Sequence, residues 1–319
     1  MSELLKRIDA RTKLAGSNKL EMLLFSLGTD QRTGREETFG INVFKVREVM
    51  RIPEITRAPD MPPSVEGMVS LRGSLVPVID LIKYVGIHNE KPPEIMIVTE
   101  YNGHTQGFLV ESVDTILRVD WSAMKVPPEM LTVQMGGLIT AVTELKDKRI
   151  VMMMDVEKIL ADTSSYADDI TIASLAPLNL GEKTVFFTDD SVVARKQIQK
   201  TLEALGIKFL FSTNGKEAWQ ELQKVAARAE ATQQSVKDFI QLILTDVEMP
   251  EMDGYVLTRN IKSDARFAGV PVLMHSSLSS SANQHLGKSV GVDEYVPKFE
   301  PQKLAEVLSR LLSVSASRT

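Results

Sequence analysis

Beyond about residue 180 the chain alternates between two spacings of apolar residues. Short apolar runs at 185–187, 208–211, 242–244, 270–274 and 294–296 are too brief for helices and read as buried strands. Between them apolar positions recur at helical intervals. Ala194, Ile198, Leu202 and Leu205 share one face before Gly206 supplies a stop. Ala218, Leu222, Val225, Ala226 and Ala229 make a second stripe, and Leu304, Val307, Leu308 and Leu311 a third behind Pro301. Five strands interleaved with about five helices predict an α/β domain over 182–319, a doubly wound (βα)5 parallel sheet with helices on both faces.

The first 160 or so residues follow another rhythm. Strand-like runs crowd together at 21–27, 38–42, 68–71, 75–79, 95–99, 107–110, 138–142 and 150–154, separated by turn material such as Asn102-Gly103 and Lys146-Asp147-Lys148. Many short strands with little helical patterning predict an all-β, barrel-like domain over 19–162. Helical spacing is visible only near 1–14, within an N-terminal segment 1–18, and at 156–161. The stretch 163–181, with Thr163-Ser164-Ser165 and Pro177, reads as a linker.

A length of 319 residues, 43% hydrophobic and 25% charged, fits two domains with real cores. Cysteine is absent, which removes disulfides, cysteine metal sites and thiol nucleophiles and suits a reducing cytoplasm. The N-terminus lacks the apolar core of a signal peptide, and no run approaches the ~20 apolar residues of a membrane span. A net charge of -5 leaves no electrostatic footprint for nucleic acid. The expectation is a cytoplasmic protein whose partners are other proteins, without membrane insertion.

Candidate chemistry sits where the α/β strands end, the place open parallel sheets reserve for it. Asp189 and Asp190 follow the first run, Asp246 the third, Ser276 the fourth and Lys298 the fifth. Two unit charges ~4 Å apart repel by about 4 kcal/mol at an effective dielectric near 20, so three gathered carboxylates call for a compensating cation. Hard oxygen ligands suit Mg²⁺. Asp246 would then be a nucleophile that accepts a phosphoryl group, Lys298 a point charge for a phosphoryl oxygen and Ser276 a hydrogen-bond donor. Each residue has a plainer reading: Asp246 as a turn residue, Ser276 as one of several loop serines, Tyr295 as core packing. Four histidines, His88, His104, His275 and His285, show no metal-ligand spacing. An aspartate-nucleophile phosphatase also places Asp at a strand tip but needs a second Asp two residues on, where this chain has Glu248.

Residues 182–312 resemble the receiver domain of two-component response regulators. The resemblance implies that Asp189, Asp190, Asp246 and the backbone carbonyl of Glu248 hold Mg²⁺. It further implies that Asp246 is phosphorylated by a histidine kinase, that Ser276 and Lys298 bind the phosphoryl group, and that Tyr295 is the switch aromatic. One departure is Phe299, where the family commonly has a proline after the lysine.

In the β half, no nucleophile–base pair, metal cluster or phosphate loop is visible. The pattern Gly67…Leu71-Arg72-Gly73…Val76-Pro77-Val78-Ile79-Asp80-Leu81 resembles the CheW-like coupling domain of bacterial chemotaxis, over 19–160, with Ser70 where asparagine is usual. That resemblance implies two intertwined five-stranded barrels and a scaffold that bridges chemoreceptors to the histidine kinase CheA. Val46, Gly67, Arg72 and Gly73 match its partner-binding positions. The two halves in this order resemble the CheV-type family, a coupling domain fused to a receiver. The implied protein is a scaffold tuned by phosphorylation, not an enzyme with an independent substrate and associated with membrane receptor arrays through protein contacts. A constitutive scaffold with a non-switching receiver is the alternative.

Overall fold

The computed structural model describes residues 19–57, 59–89, 91–101, 103–163, 171–178, 181–277 and 287–314. The helical spacing at 1–14 lies outside them. The chain divides into two compact units, taken in turn.

Among the described residues the N-terminal unit holds ten strands: β1 (Lys19–Asp30), β2 (Arg35–Asn42), β3 (Val46–Arg51), β4 (Val65–Leu71), β5 (Ser74–Asp80), β6 (Ile95–Tyr101), β7 (His104–Val110), β8 (Ser112–Asp120), β9 (Ile139–Glu144) and β10 (Ile150–Met154). Short helices α1 (Leu81–Val85), α2 (Glu129–Gln134) and α3 (Val156–Thr163) accompany them. One five-stranded sheet runs β8-β1-β2-β10-β9 and the other β3-β6-β7-β5-β4, so the second is nested in the chain between two parts of the first. Each sheet closes on itself. Thr56, just past β3, exchanges backbone hydrogen bonds with Met68 of β4, and Lys125, past β8, does so with Val142 of β9, at 2.8–2.9 Å. Each bridge ties the chain just past one end strand to the strand at the other end, which curls the sheet toward a barrel.

β1 reads as one long apolar run because both its faces are covered. Leu23, Phe25 and Leu27 join Ile79, Ile97, Phe108 and Val110 of the second sheet in a shared core. Leu20, Met22 and Leu24 turn the other way, and a side chain added at Gly40 would touch Met22, Leu24 and Val151. The second sheet keeps its own interior of Val76, Val78, Met96, Val98 and Leu109. β3 and β8 are strands that the apolar pattern does not reveal. Both end their sheets, and their alternating, half-exposed residues carry Arg47, Glu48, Arg51, Asp114 and Arg118.

The C-terminal unit interleaves β11 (Thr184–Thr188), α4 (Val192–Ala204), β12 (Lys208–Ser212), α5 (Gly215–Ala231), β13 (Leu242–Thr245), α6 (Gly254–Ser263), β14 (Val272–Ser276), β15 (Glu294–Pro297) and α7 (Pro301–Val314). All its strand pairs are parallel, in the order β12-β11-β13-β14-β15. Phe187, Leu244, Leu273 and Val296 face α4 and α7, while Phe186, Ile243 and Val272 face α5 and α6. Burial on both faces is why these strands are continuously apolar. The chain reverses its winding between β11 and β13, which opens a crevice at their C-terminal ends.

Within the stretch expected to be a linker, residues 171–178 pack on this unit. Leu175 and Leu178 lie against the core beside α4, and the Leu178 N–H donates to the Leu205 carbonyl at 2.9 Å. Among the described residues no helix is long and apolar enough to cross a membrane.

Candidate metal and phosphoryl site

Backbone pairing delivers the site residues to one rim. Thr188 pairs with Thr245, so Asp189 and Asp246 leave adjacent strands at the same height, and the Asp246 N–H donates back to the Thr188 carbonyl at 2.9 Å. Ser276 pairs with Pro297, and the Lys298 N–H donates to the Ser276 carbonyl at 3.2 Å. Helix starts fix the loops. Ser191 caps α4 and its N–H donates to Asp189 Oδ1 at 2.9 Å, while Asp253 caps α6 by accepting from Val256 N–H at 2.7 Å. Side-chain caps of this kind satisfy donors a helix cannot pair internally.

Asp189, Asp190 and Asp246 each offer a carboxylate oxygen within 4.8 Å of the others. Asp189 and Asp246 are buried and Asp190 is partly exposed. Oxygen ligands of one octahedral Mg²⁺, bound at about 2.1 Å, stand roughly 3–4 Å apart, so small side-chain rotations would seat the ion. The donor set therefore fits Mg²⁺. Lys298, only 2% exposed, extends its ammonium between two of the acids, 2.9 Å from Asp189 Oδ2 and 3.0 Å from Asp246 Oδ2. A fully buried ammonium needs such partners, since desolvation alone would cost several kcal/mol. Ser276 is buried on the neighbouring tip and is hydrogen-bonded to Tyr295. Burial pushes the Tyr295 phenol above its ordinary range. Glu248 is buried two residues past Asp246, where its backbone carbonyl is the expected fourth ligand.

The rim also includes residues that the motif reading did not single out. A Cβ on Gly254 would collide with the Asp246 carbonyl, so the start of α6 rests directly on the acid's backbone. Arg195 of α4 donates to the Asp189 carbonyl at 2.8 Å. The Asp253 carboxyl is pushed up to about 6, chiefly by burial. An Asp-Gly pair before an apolar stripe was a legible signal for the helix start. Nothing in the sequence pattern marks Arg195, because its contact is made by a long side chain reaching across a turn.

The CheW-like domain family matches residues 21–164, and the response regulator receiver domain family matches residues 185–309. The chemotaxis protein CheV3 of Helicobacter pylori is 30% identical over 306 residues, covering 94% of this chain and 96% of that protein. The chain belongs to the CheV family of chemotaxis proteins. Its receiver half is also 33% identical over 129 residues to Helicobacter pylori CheY1, covering 40% of this chain and 94% of that protein. The crystal structure of the scaffolding protein TtCheW from Thermoanaerobacter tengcongensis is similar to the coupling half, with 28% identity and a TM-score of 0.38, covering 43% of this chain and 88% of that one.

In the coupling half of this CheV-family chain, Arg72 and Gly73 are the two central residues of the β4–β5 turn, with φ of 50° and 84°. Positive φ at both positions is the tight hairpin turn that matches strand twist. The turn thrusts the Arg72 guanidinium outward, 2.9 Å from Glu48 Oε2 of β3. Val46 begins β3, paired with Thr99 and half-buried against the shared core. Gly67 has φ of 139°, and a Cβ there would collide with the Thr56 carbonyl, so barrel closure itself demands glycine.

Proposed function

We propose that this CheV-family protein couples chemoreceptors to the histidine kinase CheA, and that phosphorylation of Asp246 tunes the coupling. The observation that most supports this reading is the buried Lys298 ammonium set between Asp189 and Asp246, with the Ser276 hydroxyl on the next strand tip. Mg²⁺, held by Asp189, Asp190, Asp246 and the Glu248 carbonyl, supplies positive charge for the phosphoryl oxygens when bound. The chain's own residues do the rest. An Asp246 carboxylate oxygen attacks the phosphorus of a phosphohistidine on the kinase; a P–O bond forms, the P–N bond breaks, and the imidazole leaves with a proton from solvent. Lys298 shifts from the carboxylates toward a phosphoryl oxygen, and Ser276 donates to another, which frees Tyr295 to repack. Water later attacks the phosphorus, releasing phosphate and restoring the carboxylate. The protein is thus a phosphoacceptor with no separate substrate.

Inverting a two-state equilibrium from 1:99 to 99:1 takes about 5.5 kcal/mol. A hydrogen bond to a charged group contributes roughly 1.5–3 kcal/mol. Ser276 and Lys298 together therefore come near to full inversion, and graded modulation is the expected output. The coupling half would bind its partners through Val46, Gly67, Arg72 and Gly73, in the cytoplasm at receptor arrays. Incubation with radiolabelled phospho-CheA should label the wild type in Mg²⁺ and neither Asp246→Asn nor a chelator-treated sample. Binding to kinase–receptor arrays should then change when a small-molecule phosphodonor is added. Labelling that persists in Asp246→Asn would overturn the site, and identical array binding in both states would overturn the tuning.

A further inference from the structure

Six non-glycine residues among those described have positive φ, and five of them are polar or charged: Asp60, Arg72, Lys148, Gln233 and Glu251. The sixth is Phe299, at φ of 61°, immediately after Lys298. Left-handed backbone is uncommon outside glycine and asparagine, and for a bulky side chain it signals strain. The surroundings explain why the strain persists. On one side Lys298 is fixed by its two acid contacts and by the hydrogen bond to Ser276. On the other side α7 begins at Pro301 and is anchored by Leu304 and Leu308 in the core. Only Phe299 and Glu300 remain to turn the chain. Pro301 biases Glu300 away from helical backbone, so the reversal falls on Phe299.

We propose that Phe299 is a positioning residue whose strained left-handed turn is the mount for Lys298, setting how often that ammonium leaves the acid cluster. The proposal rests on the phosphoacceptor reading for its consequence, but not for its first measurement. Strain in the mount favours an open loop in which Lys298 is released, and tolerance of left-handed backbone at position 299 governs the balance. Release is read by the rate at which an amine-acylating reagent modifies Lys298 in the full-length, metal-free protein, followed by peptide mass spectrometry.

A residue that adopts positive φ freely keeps Lys298 buried longer. Left-handed backbone costs an ordinary residue about 1–2 kcal/mol, which corresponds to roughly fivefold to thirtyfold in opening. Phe299→Gly should slow acylation of Lys298 by up to that factor, since glycine's extra freedom in the open loop offsets part of the gain, Phe299→Asn should also slow it, and Phe299→Val should accelerate it. Initial rates of phosphorylation by acetyl phosphate at saturating Mg²⁺ should follow suit, faster for glycine and asparagine than for valine. If ring packing were what holds Lys298, the order would reverse, with glycine the most exposed. That reversal, or acylation unchanged in both the glycine and asparagine variants, overturns the proposal. Should Phe299→Val fail to fold, the glycine and asparagine variants decide alone. Should the acylation order hold while no variant accepts phosphate, Phe299 keeps its role and the phosphoacceptor reading falls.

Discussion

Lys298→Met removes the ammonium that touches both Asp189 and Asp246 and leaves a methylene stem of similar length. The acid oxygens lie no more than 4.8 Å apart, so each close pair repels by at least about 3.5 kcal/mol at an effective dielectric of 20. The ammonium contacts, at 2.9 and 3.0 Å, each return about 5.5 kcal/mol on the same scale. Two attractions thus nearly balance three repulsions, the weakest of which involves partly exposed Asp190. The full Coulomb cost will not appear in the variant, because an acid takes up a proton or water enters first. Breaking a buried ion pair by removing one partner costs about 3–5 kcal/mol, and that is the expected destabilisation in metal-free buffer. Native-state hydrogen exchange followed by mass spectrometry reads the C-terminal unit separately, through peptides covering β11 and β13. Global opening there should become faster by roughly two to four decades. Mg²⁺ should protect the variant more than the wild type, because the competing ammonium is gone and ligand binding stabilises the state that binds it. Exchange within threefold of wild type without metal, or equal protection of both proteins by Mg²⁺, would refute the shared electrostatics of the cluster.

Three further outcomes are expected. The Asp253 carboxyl is raised from 3.8 to about 6, so the fold carries a cost once the group ionises: absent below about pH 4, growing through pH 4–6 and complete above it. Asp253→Asn keeps the helix cap and removes the charge, so it should be more stable than wild type at pH 7.5 by up to about 3 kcal/mol, with the gain gone at pH 4; urea titrations at the two pH values check this. Gly254→Ala forces α6 away from the Asp246 backbone and should destabilise the C-terminal unit by about 1–3 kcal/mol while slowing phosphorylation, measured by exchange and by labelling. In the N-terminal unit, Lys45 Nζ lies 3.0 Å from Glu157 Oε1 and both side chains are largely buried, so Lys45→Met should cost about 3–5 kcal/mol by exchange of α3 peptides; Lys45→Met combined with Glu157→Leu should recover most of it.

Periodicity along the chain determined the two fold classes and the set of strand-tip residues, because burial on both faces of a parallel sheet leaves continuous apolar runs that end abruptly at polar tips. The same logic failed for β3 and β8. Each lies at the end of its sheet, so exposed charged residues interrupt the apolar signal, and it is long-range pairing, of β3 with β6 and of β8 with β1, that makes them strands. Tertiary structure alone decided that Lys298 points between Asp189 and Asp246, that Gly254 lies on the Asp246 carbonyl, and that Phe299 must turn left-handed. The lysine contacts join segments more than fifty residues apart, the Gly254 contact depends on how the loop after β13 folds back on itself, and the Phe299 angle is imposed by anchors at both ends of its loop. Local spacing registers which side chains are available; the packing of the whole unit sets where their charged atoms meet.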